Sequence, residues 1–254
     1  MDEDLLSRVE DASLNASAPP QQRWLDGWIL RYSPGKARRA RCVNAVATGR
    51  LPLAQKLELA GALFREAALP MVVRITRFTQ PSSLDGDLDA LGWTPLDPTR
   101  VMVRPGLSFA DPAPLPPGTH WTRLEGPEYA EEVGRLRGSP QAQRIAHVQR
   151  LTHSPVPYCG YAIRRDGDGL VLACGQYARE ADLVGLYDVY TRQAARGRGL
   201  ASKLCERLLS LAASEGAEVG YLQVEAGNDP ALRIYHRLGF VDGYTYHYRE
   251  APNA

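Results

Sequence analysis

A strand, a glycine-containing loop and a helix follow one another directly in the second half of the chain, and this order restricts the fold most. The apolar run ADLVGLYDVYT ends at Thr191, the loop ARGRG holds Gly197 and Gly199, and the run LASKLCERLLSLAASEG follows. Leucines recur in that run at helical spacing, and Gly216 is typical of a residue that ends a helix. Since the buried strand EVGYLQVE comes next, the segment predicts two parallel strands joined by a helix.

The flanking segments extend this pattern in both directions. Upstream, Tyr158–Ile163 and Leu170–Tyr177 are predicted strands of a hairpin, because the Asp-Gly-Asp-Gly turn between them suits positive φ. Downstream, DPALRIYHRLGF predicts a helix with Asp229 as its N-cap, Pro230 in its first turn and Gly239 at its end. The alternating run YTYHYRE predicts a final strand. The predicted fold class is therefore α/β, of the α+β mixed-sheet kind.

A proline-rich segment, FADPAPLPPG at residues 109–118, divides the chain. It contains four prolines in ten residues, and each proline biases the preceding residue away from helix, so we interpret it as an extended linker. The prediction is an N-terminal domain at residues 1–108 and a C-terminal domain at residues 119–254, both of ordinary domain size.

The first half repeats the end of this plan. EAALPMVVRIT (Glu66–Thr76) aligns with EGAEVGYLQVE (Glu215–Glu225) without a gap, at an offset of 149 residues. LDALGW then aligns with YHRLGF after a two-residue insertion, and a helix at Pro52–Ala68 would correspond to Leu200–Ala213. Few residues are shared, so the halves are either a diverged repeat or two instances of the general pattern of α/β folds; we favour the repeat.

Charge and composition exclude several classes of function. The formal net charge is +1 and the sequence has no apolar run of about 18 residues, so we expect no nucleic-acid partner and no membrane partner. The first residues, MDEDLLSRVEDAS, are acidic where a signal peptide is basic and then apolar, so we expect a cytoplasmic protein. The four cysteines and five histidines do not combine at metal-ligand spacing, so no metal site is predicted.

The loop Arg196–Ala201 is a candidate anion site. The first turn of a helix carries unpaired N–H groups and the positive end of the helix dipole, which together suit phosphate. Glycine allows close approach of the backbone, and arginine side chains can bind further phosphate oxygens. The alternative is an ordinary tight turn with exposed arginines, and the loop alone supports both interpretations equally.

The residues around the loop resemble one family. RGRGLA matches the (Q/R)-x-x-G-x-(G/A) signature of the GCN5-related N-acetyltransferases (GNAT), DVYT precedes it, and YLQVEAGNDPALRIYHRLGF and an aromatic-rich strand follow it. Residues 185–254 therefore resemble the cofactor-binding half of this superfamily. The first half, with DGWILRYSPGKARRARCVNAV, resembles tandem members that carry a degenerate second copy. The resemblance implies two GNAT-like domains, each with a mixed central β-sheet flanked by helices.

The resemblance also implies an activity and its ligands. It implies an N-acetyltransferase that moves the acetyl group of acetyl-CoA to a primary amine, by direct attack in a ternary complex. We expect a small-molecule acceptor and a monomer or homodimer; the alternatives are a protein N-acetyltransferase and an acyl-CoA-binding regulatory protein with little or no catalysis. An N–H near Val189 would polarise the thioester carbonyl. The implied cofactor-binding residues are Val189, Tyr190, Thr191, Arg196, Gly197, Arg198, Gly199, Leu200, Ala201 and Asn228.

Tyr235, Asp188 and Glu225 are the candidate catalytic residues. Tyr235 matches the tyrosine that family members place near the thioester sulfur, and a phenol with a pKa of about 10 keeps its proton at neutral pH and can donate it to the leaving thiolate. Histone-type members use a strand glutamate as the general base, and Gly185 stands at that position here. The base is then Asp188, Glu225 or a water held by strand backbone.

The first half departs from the signature. Arg50 stands where the second half has Gly199, and Leu88 stands where it has Tyr235. We therefore expect this half to lack catalysis and either to complete the acceptor cleft or to serve as scaffold. Its basic cluster GKARRARC, residues 35–42, either recognises an acidic acceptor or forms a strand with a solvated basic face, and the second interpretation is the more common one.

Overall fold

Seven α-helices and eleven β-strands form the described part of the chain, which comprises residues 1–111 and 114–252 of a computed structural model. The helices are α1 (Glu3–Ala16), α2 (Leu53–Glu66), α3 (Leu84–Ala90), α4 (Gly126–Leu136), α5 (Gln141–Thr152), α6 (Leu200–Ser214) and α7 (Asp229–Arg237). The strands are β1 (Gln22–Leu25), β2 (Trp28–Arg31), β3 (Val43–Ala45), β4 (Val72–Ile75), β5 (Thr94–Pro105), β6 (Thr119–Leu124), β7 (Tyr158–Arg165), β8 (Val171–Glu180), β9 (Leu183–Thr191), β10 (Val219–Glu225) and β11 (Val241–Glu250).

These strands form one mixed sheet, in the order β1-β2-β3-β4-β11-β5-β10-β9-β8-β7-β6. Two neighbouring pairs are parallel, β3 with β4 and β9 with β10. Each parallel pair is connected through a helix, α2 in the first half and α6 in the second, as parallel connections require. The predicted mixed α/β class is confirmed.

The pair of β5 and β11 lies between the strands of the two halves, with four strands on one side and five on the other. β5 follows β4 in the chain yet pairs with β10, and β11 follows β10 yet pairs with β4. The last strand of each half therefore completes the sheet of the other half. β5 and β11 begin at Thr94 and Val241, 147 residues apart, which is also the offset between the LDALGW and YHRLGF runs.

The sheet is continuous across both halves, so it does not mark where one domain ends and the next begins. The domain boundaries at residues 108 and 119 therefore remain a prediction. The linker proposed at residues 109–118 contains Pro112 and Ala113, which lie outside the described residues.

The hydrophobic core lies on both faces of the sheet. On one face α6 packs on β8 and β9 and buries Leu204 and Leu208 completely. On the other face α1 packs Leu6 and Val9 against tyrosines of the central strands, among them Tyr244 of β11. The tyrosines of β11 alternate with more exposed residues, so the predicted strand pattern of YTYHYRE is confirmed.

One helix boundary differs from the sequence prediction. Asn228, and not Asp229, is the N-cap of α7: its side-chain oxygen accepts a hydrogen bond from the Ala231 N–H at 3.3 Å. This is the usual spacing between an N-cap and the third helical residue. Sequence analysis also missed α5, whose run QAQRIAHVQRLT has weak hydrophobic periodicity.

Candidate active site

β9 and β10 separate near the middle of the sheet. Their parallel pairing ends at Leu186 and Leu222, although β9 continues to Thr191 and β10 to Glu225. The edge of β9 that faces the gap therefore has no strand partner among residues 1–111 and 114–252. The gap opens into a cleft of about 650 Å³ between the end of β9, the start of α6 and α7, which we call the cofactor cleft.

A β-bulge lies where the strands separate. Two residues of β9, Asp188 and Val189, lie opposite the single residue Gly175 of β8. Asp188 has a φ of 53°, in the left-handed region that is unfavourable for residues with a side chain. Bulges of this kind interrupt strand pairing and redirect side chains next to functional sites. Val189, Tyr190 and Thr191, the predicted cofactor strand, follow and line the cleft.

The predicted anion loop forms the other wall of the cofactor cleft. Gly197 and Gly199 have φ values of 76° and 72°, which L-residues rarely adopt. α6 begins at the next residue, Leu200, and no side chain caps it. Its first N–H groups are thus available to an anion. Of the two loop arginines, Arg196 lines the cleft, whereas Arg198 is exposed and is not part of its wall.

Tyr235 lies in the same cleft, on α7. Its ring packs edge-on against Phe240, with 6.0 Å between ring centroids, and Cys205 of α6 lines the cleft beside it. Burial, and to a lesser degree Cys205, raises the pKa of Tyr235 above its ordinary value. Burial likewise raises the pKa of the Cys205 thiol to about 12. Both side chains are therefore protonated at neutral pH.

A second pocket of about 600 Å³ adjoins the cofactor cleft, and we call it the acceptor pocket. The two spaces share Val189, Tyr190 and Asn228. Helices α4 and α5 and the ends of β9 and β10 form its walls, and the segment 33–41 from the first half closes it. Asn228 therefore lies at the junction of the two spaces, where it also caps α7.

Asp188 is held at the centre of an ionic network in the acceptor pocket. Its carboxylate accepts hydrogen bonds from Arg137 at 2.8 Å and from Gln176 at 2.9 Å, and it lies 3.3 Å from His147 and 3.5 Å from Arg150. Burial alone would raise the pKa of Asp188, but Arg137, His147 and Arg150 hold it well below its ordinary value. A carboxylate with such a low pKa is a weak proton acceptor.

Glu225 lies elsewhere in the acceptor pocket, at the exposed end of β10. It forms no ion pair with the described residues, unlike Asp188. The strand glutamate of histone-type members has no room here: a Cβ on Gly185 would lie 2.5 Å from the Tyr187 ring and 2.6 Å from the Tyr221 ring. Those two tyrosines hydrogen-bond to each other, with 2.8 Å between their hydroxyl oxygens.

The corresponding loop of the first half is occupied by a side chain of the protein itself. The Asp26 carboxylate accepts hydrogen bonds from the backbone N–H groups of Arg50 and Leu51, at 2.8 and 2.7 Å. Lys56 of α2 lies 3.2 Å from it. The neighbouring Gly49 permits this contact, since a Cβ there would lie 2.1 Å from the Asp26 carbonyl oxygen. The sequence contains no signal for the contact between Asp26 and Arg50, because the two residues are 24 positions apart.

Metal and membrane sites are not found in the described ranges, 1–111 and 114–252. No group of three or more His, Cys, Asp or Glu side chains there could hold a metal ion. None of the helices in these ranges has the length and apolar character needed to cross a membrane.

Comparisons with known proteins agree with this geometry. The profile of the acetyltransferase (GNAT) family matches residues 120–240. The chain is 44% identical over 61 residues to mycothiol acetyltransferase of Corynebacterium aurimucosum, covering 24% of this chain and 18% of that protein. It is 32% identical over 88 residues to L-methionine sulfoximine/L-methionine sulfone acetyltransferase of Pseudomonas aeruginosa, covering 32% of this chain and 51% of that protein. The chain thus spans about half the length of the Pseudomonas protein and less than a fifth of the Corynebacterium protein.

Solved structures extend the similarity of fold to the whole chain. A GCN5-related N-acetyltransferase from Kribbella flavida superposes with a TM-score of 0.69 at 18% identity, covering 98% of this chain and 96% of the other. A tandem GNAT protein from the clavulanic acid biosynthesis pathway superposes with a TM-score of 0.62 at 14% identity, covering 79% of this chain and 70% of the other. The glycine loop and the separated strands both lie within residues 120–240, the part of the chain that matches the GNAT acetyltransferase family.

Proposed function

We propose that the chain is an acetyl-CoA-dependent N-acetyltransferase that acetylates a primary amine of a small molecule, with one active site per chain. The observation that carries the proposal is the junction of two spaces at Val189, Tyr190 and Asn228. One space has an uncapped helix N-terminus and an unpaired strand edge, and the other is a polar pocket. A pocket of about 600 Å³ is of the size that holds small molecules, which favours such an acceptor over a protein.

The cofactor cleft has groups that fit each part of acetyl-CoA. The backbone of Arg196–Ala201 would hold the pyrophosphate, since its glycines have left-handed φ angles and its helix is uncapped. The free edge of β9 at Val189–Thr191 would pair with the pantetheine arm as an added strand. Acetyl-CoA, when bound, supplies the acetyl group as a thioester. A backbone N–H near Val189 would stabilise negative charge on the thioester oxygen.

The proton balance of the reaction assigns roles to two residues. A protonated amine loses one proton to a base, and its nitrogen then bonds the acetyl carbon. As the carbon–sulfur bond breaks, the Tyr235 phenol gives a proton to the sulfur, and the nitrogen gives up its second proton, which restores the phenol and leaves a neutral amide and free CoA. Tyr235 can supply the proton that the sulfur takes, because its raised pKa keeps the phenol protonated. Glu225 is a better candidate than Asp188 for the first proton, because Asp188 is neutralised by the arginines around it.

The first half does not bind acetyl-CoA in this proposal. The Asp26 carboxylate already takes the N–H groups of Arg50 and Leu51, in the loop just before α2. A pyrophosphate at this loop would meet the negative charge of that carboxylate. The first half contributes the segment 33–41, which closes the acceptor pocket.

Two measurements test the proposal. Release of CoA should follow mixing of the protein and acetyl-CoA with a panel of primary amines, and calorimetry should give one CoA site per chain. Tight CoA binding without turnover on any amine would indicate a regulatory protein instead. Two sites per chain would contradict the assignment of the first half.

A further inference from the structure

The acceptor pocket contains more positive charge than its carboxylates neutralise. Its arginines on α4 and α5 each have a carboxylate nearby: Arg137 and Arg150 share Asp188, and Arg144 lies 3.2 Å from Glu131. The cations of segment 33–41 are mostly not compensated. Arg38 pairs with Asp97 at 2.6 Å, and the other three, Lys36, Arg39 and Arg41, form no ion pair within residues 1–111 and 114–252 but line the same pocket.

Arg39 is the most firmly placed of these three cations. Its guanidinium donates a hydrogen bond to the side-chain oxygen of Gln223 and lies 3.4 Å from the Tyr246 hydroxyl. It also lies over the Tyr187 ring, 5.9 Å from the ring centroid. These contacts hold the guanidinium in place. Because the three partners are neutral, they do not compensate its positive charge. A positioned guanidinium is well suited to bind a carboxylate or phosphate.

Lys36 and Arg41 surround this group with further positive charge. Lys36 is exposed and Arg41 is partly buried. Burial lowers the pKa of Arg41, and the neighbouring charge of Arg38 lowers it further, against the opposite effect of Asp97 and Glu250. An anionic ligand group would be attracted by both Lys36 and Arg41.

Glu225 adds a negative charge to this pocket. It lines the acceptor pocket, and it also lines a smaller space of about 200 Å³ that contains Arg38 and Arg39. Its carboxylate is free of ion pairs with the described residues and can pair with an ammonium group. The pocket thus presents cationic groups and one free carboxylate to the same ligand.

We propose that the acceptor is a primary amine that also carries an anionic group, a carboxylate or a phosphate, which binds at Lys36, Arg39 and Arg41. This inference rests on the proposed acetyltransferase function and names its substrate class. The ammonium group of such an acceptor lies toward Glu225 and the bulge at Val189, where the two spaces meet. The basic segment of the first half then determines acceptor specificity, and neutral or cationic amines are poor substrates.

Pairs of amines that differ in the anionic group test this inference. The pairs are 4-aminobutyrate with butylamine, and phosphoethanolamine with ethanolamine, so that one arm reports on carboxylate and the other on phosphate. We expect kcat/KM for CoA release to be at least about 10-fold higher for the anionic member of one pair, since a charge-assisted hydrogen bond contributes about 1.5–3 kcal/mol. Equal values within both pairs, or a preference for the neutral members, would overturn the inference.

Substitutions in the segment 33–41 test which residues cause the preference for the anionic amine. Arg39→Gln should remove most of the preference for the anionic amine, Arg39→Lys should restore part of it, and the exposed substitution Lys36→Gln should reduce it without affecting folding. Arg23→Gln is the matched control, because Arg23 is exposed on β1 at the far edge of the sheet. Equal loss for both members of a pair in Arg39→Gln would show a merely structural role.

Calorimetry on the CoA-bound protein separates this inference from the proposed function. Binding of the anionic amine in preference to its neutral partner, with no acetyl transfer, would contradict the enzyme and support the pocket assignment. Transfer to amines regardless of charge would support the enzyme and overturn the pocket assignment.

Discussion

The side-chain oxygen of Asp26 lies 2.7 Å from the backbone nitrogen of Leu51, and so the first half carries its own anion where the second half presents an open loop. Hydrogen bonds from Leu51 and Arg50 lower the pKa of Asp26. Its contribution to stability is therefore present above the unfolded pKa of about 4 and is lost as the pH falls below that value. Asp26→Asn should lower the urea midpoint more at pH 7 than near pH 3. An equal loss at both pH values would contradict the assignment.

Replacement of Gly199 tests the anion loop. Gly199→Ala places a side chain at a φ of 72° and should cost about 1–2 kcal/mol of stability, but it should also weaken CoA binding at least 10-fold. Gly216→Ala is the matched control, because Gly216 has a φ of 98° at the opposite end of α6. It should cost similar stability and leave the dissociation constant of CoA unchanged. A similar loss of CoA affinity in both variants would show that the strain acts on the helix as a whole.

Tyr235→Phe tests the proton donor. The phenol keeps its proton throughout the physiological range, so the variant should lower kcat by about 10²-fold, in the lower part of the range for general acids. The KM for acetyl-CoA should change little. Tyr161→Phe serves as control, because Tyr161 packs on the same core cluster from β7. Unchanged turnover in Tyr235→Phe would exclude the tyrosine from the mechanism.

Glu225 and Asp188 should respond differently to loss of charge. Glu225→Gln should lower kcat by about 10²-fold with little change in melting temperature. Asp188→Asn should lower the melting temperature strongly, because it leaves Arg137 and Arg150 without a counterion. Glu218→Gln, just before the other end of β10, is an exposed control. A loss of kcat in Asp188→Asn without destabilisation would reverse the two roles.

The buried ion pair between Glu10 of α1 and Arg74 of β4 should make the fold sensitive to the loss of either partner. Burial alone would raise the pKa of Glu10, but Arg74 and the Tyr244 hydroxyl lower it. Glu10→Gln should therefore cost about 3–5 kcal/mol at pH 7, and the difference from wild type should shrink as the pH falls below about 4. Glu3→Gln, in an exposed pair with Arg77, should cost less than about 1 kcal/mol.

The sequence was sufficient for features that depend on local pattern. The run from Leu200 to Gly216, the alternation of β11 and the position of Gly199 before a helix all follow from periodicity and backbone preference. The mixed sheet followed from the same reasoning. The family signature assigned the cofactor residues, and that assignment stays a prediction for each of them.

Features that depend on long-range contacts had no signal in the sequence. Asp188 contacts Arg137 and Arg150 across 51 and 38 positions, and nothing local marks these arginines as its partners. The exchange of β5 and β11 has no local signal either. β5 belongs to the first half in sequence but pairs with β10 of the second half, and β11 belongs to the second half but pairs with β4 of the first.

The pattern of the basic segment 35–42 favours a strand with a solvated basic face, and this prediction is wrong: the segment contains a 3₁₀ turn at Arg38–Ala40, and β3 begins only at Val43. Only the fold shows that the segment lies beside α4 and α5.

The crossing of β5 and β11 means that the two halves cannot be separated by cutting the chain at its proline-rich segment. A fragment of residues 119–254 would leave β10 without the neighbour that β5 supplies, and it would extend β11 without β4 beside it. Exposed strand edges of this kind promote aggregation. Gene duplication followed by such an exchange would make each half dependent on the other for its sheet, so that both halves would have to be retained for either to fold.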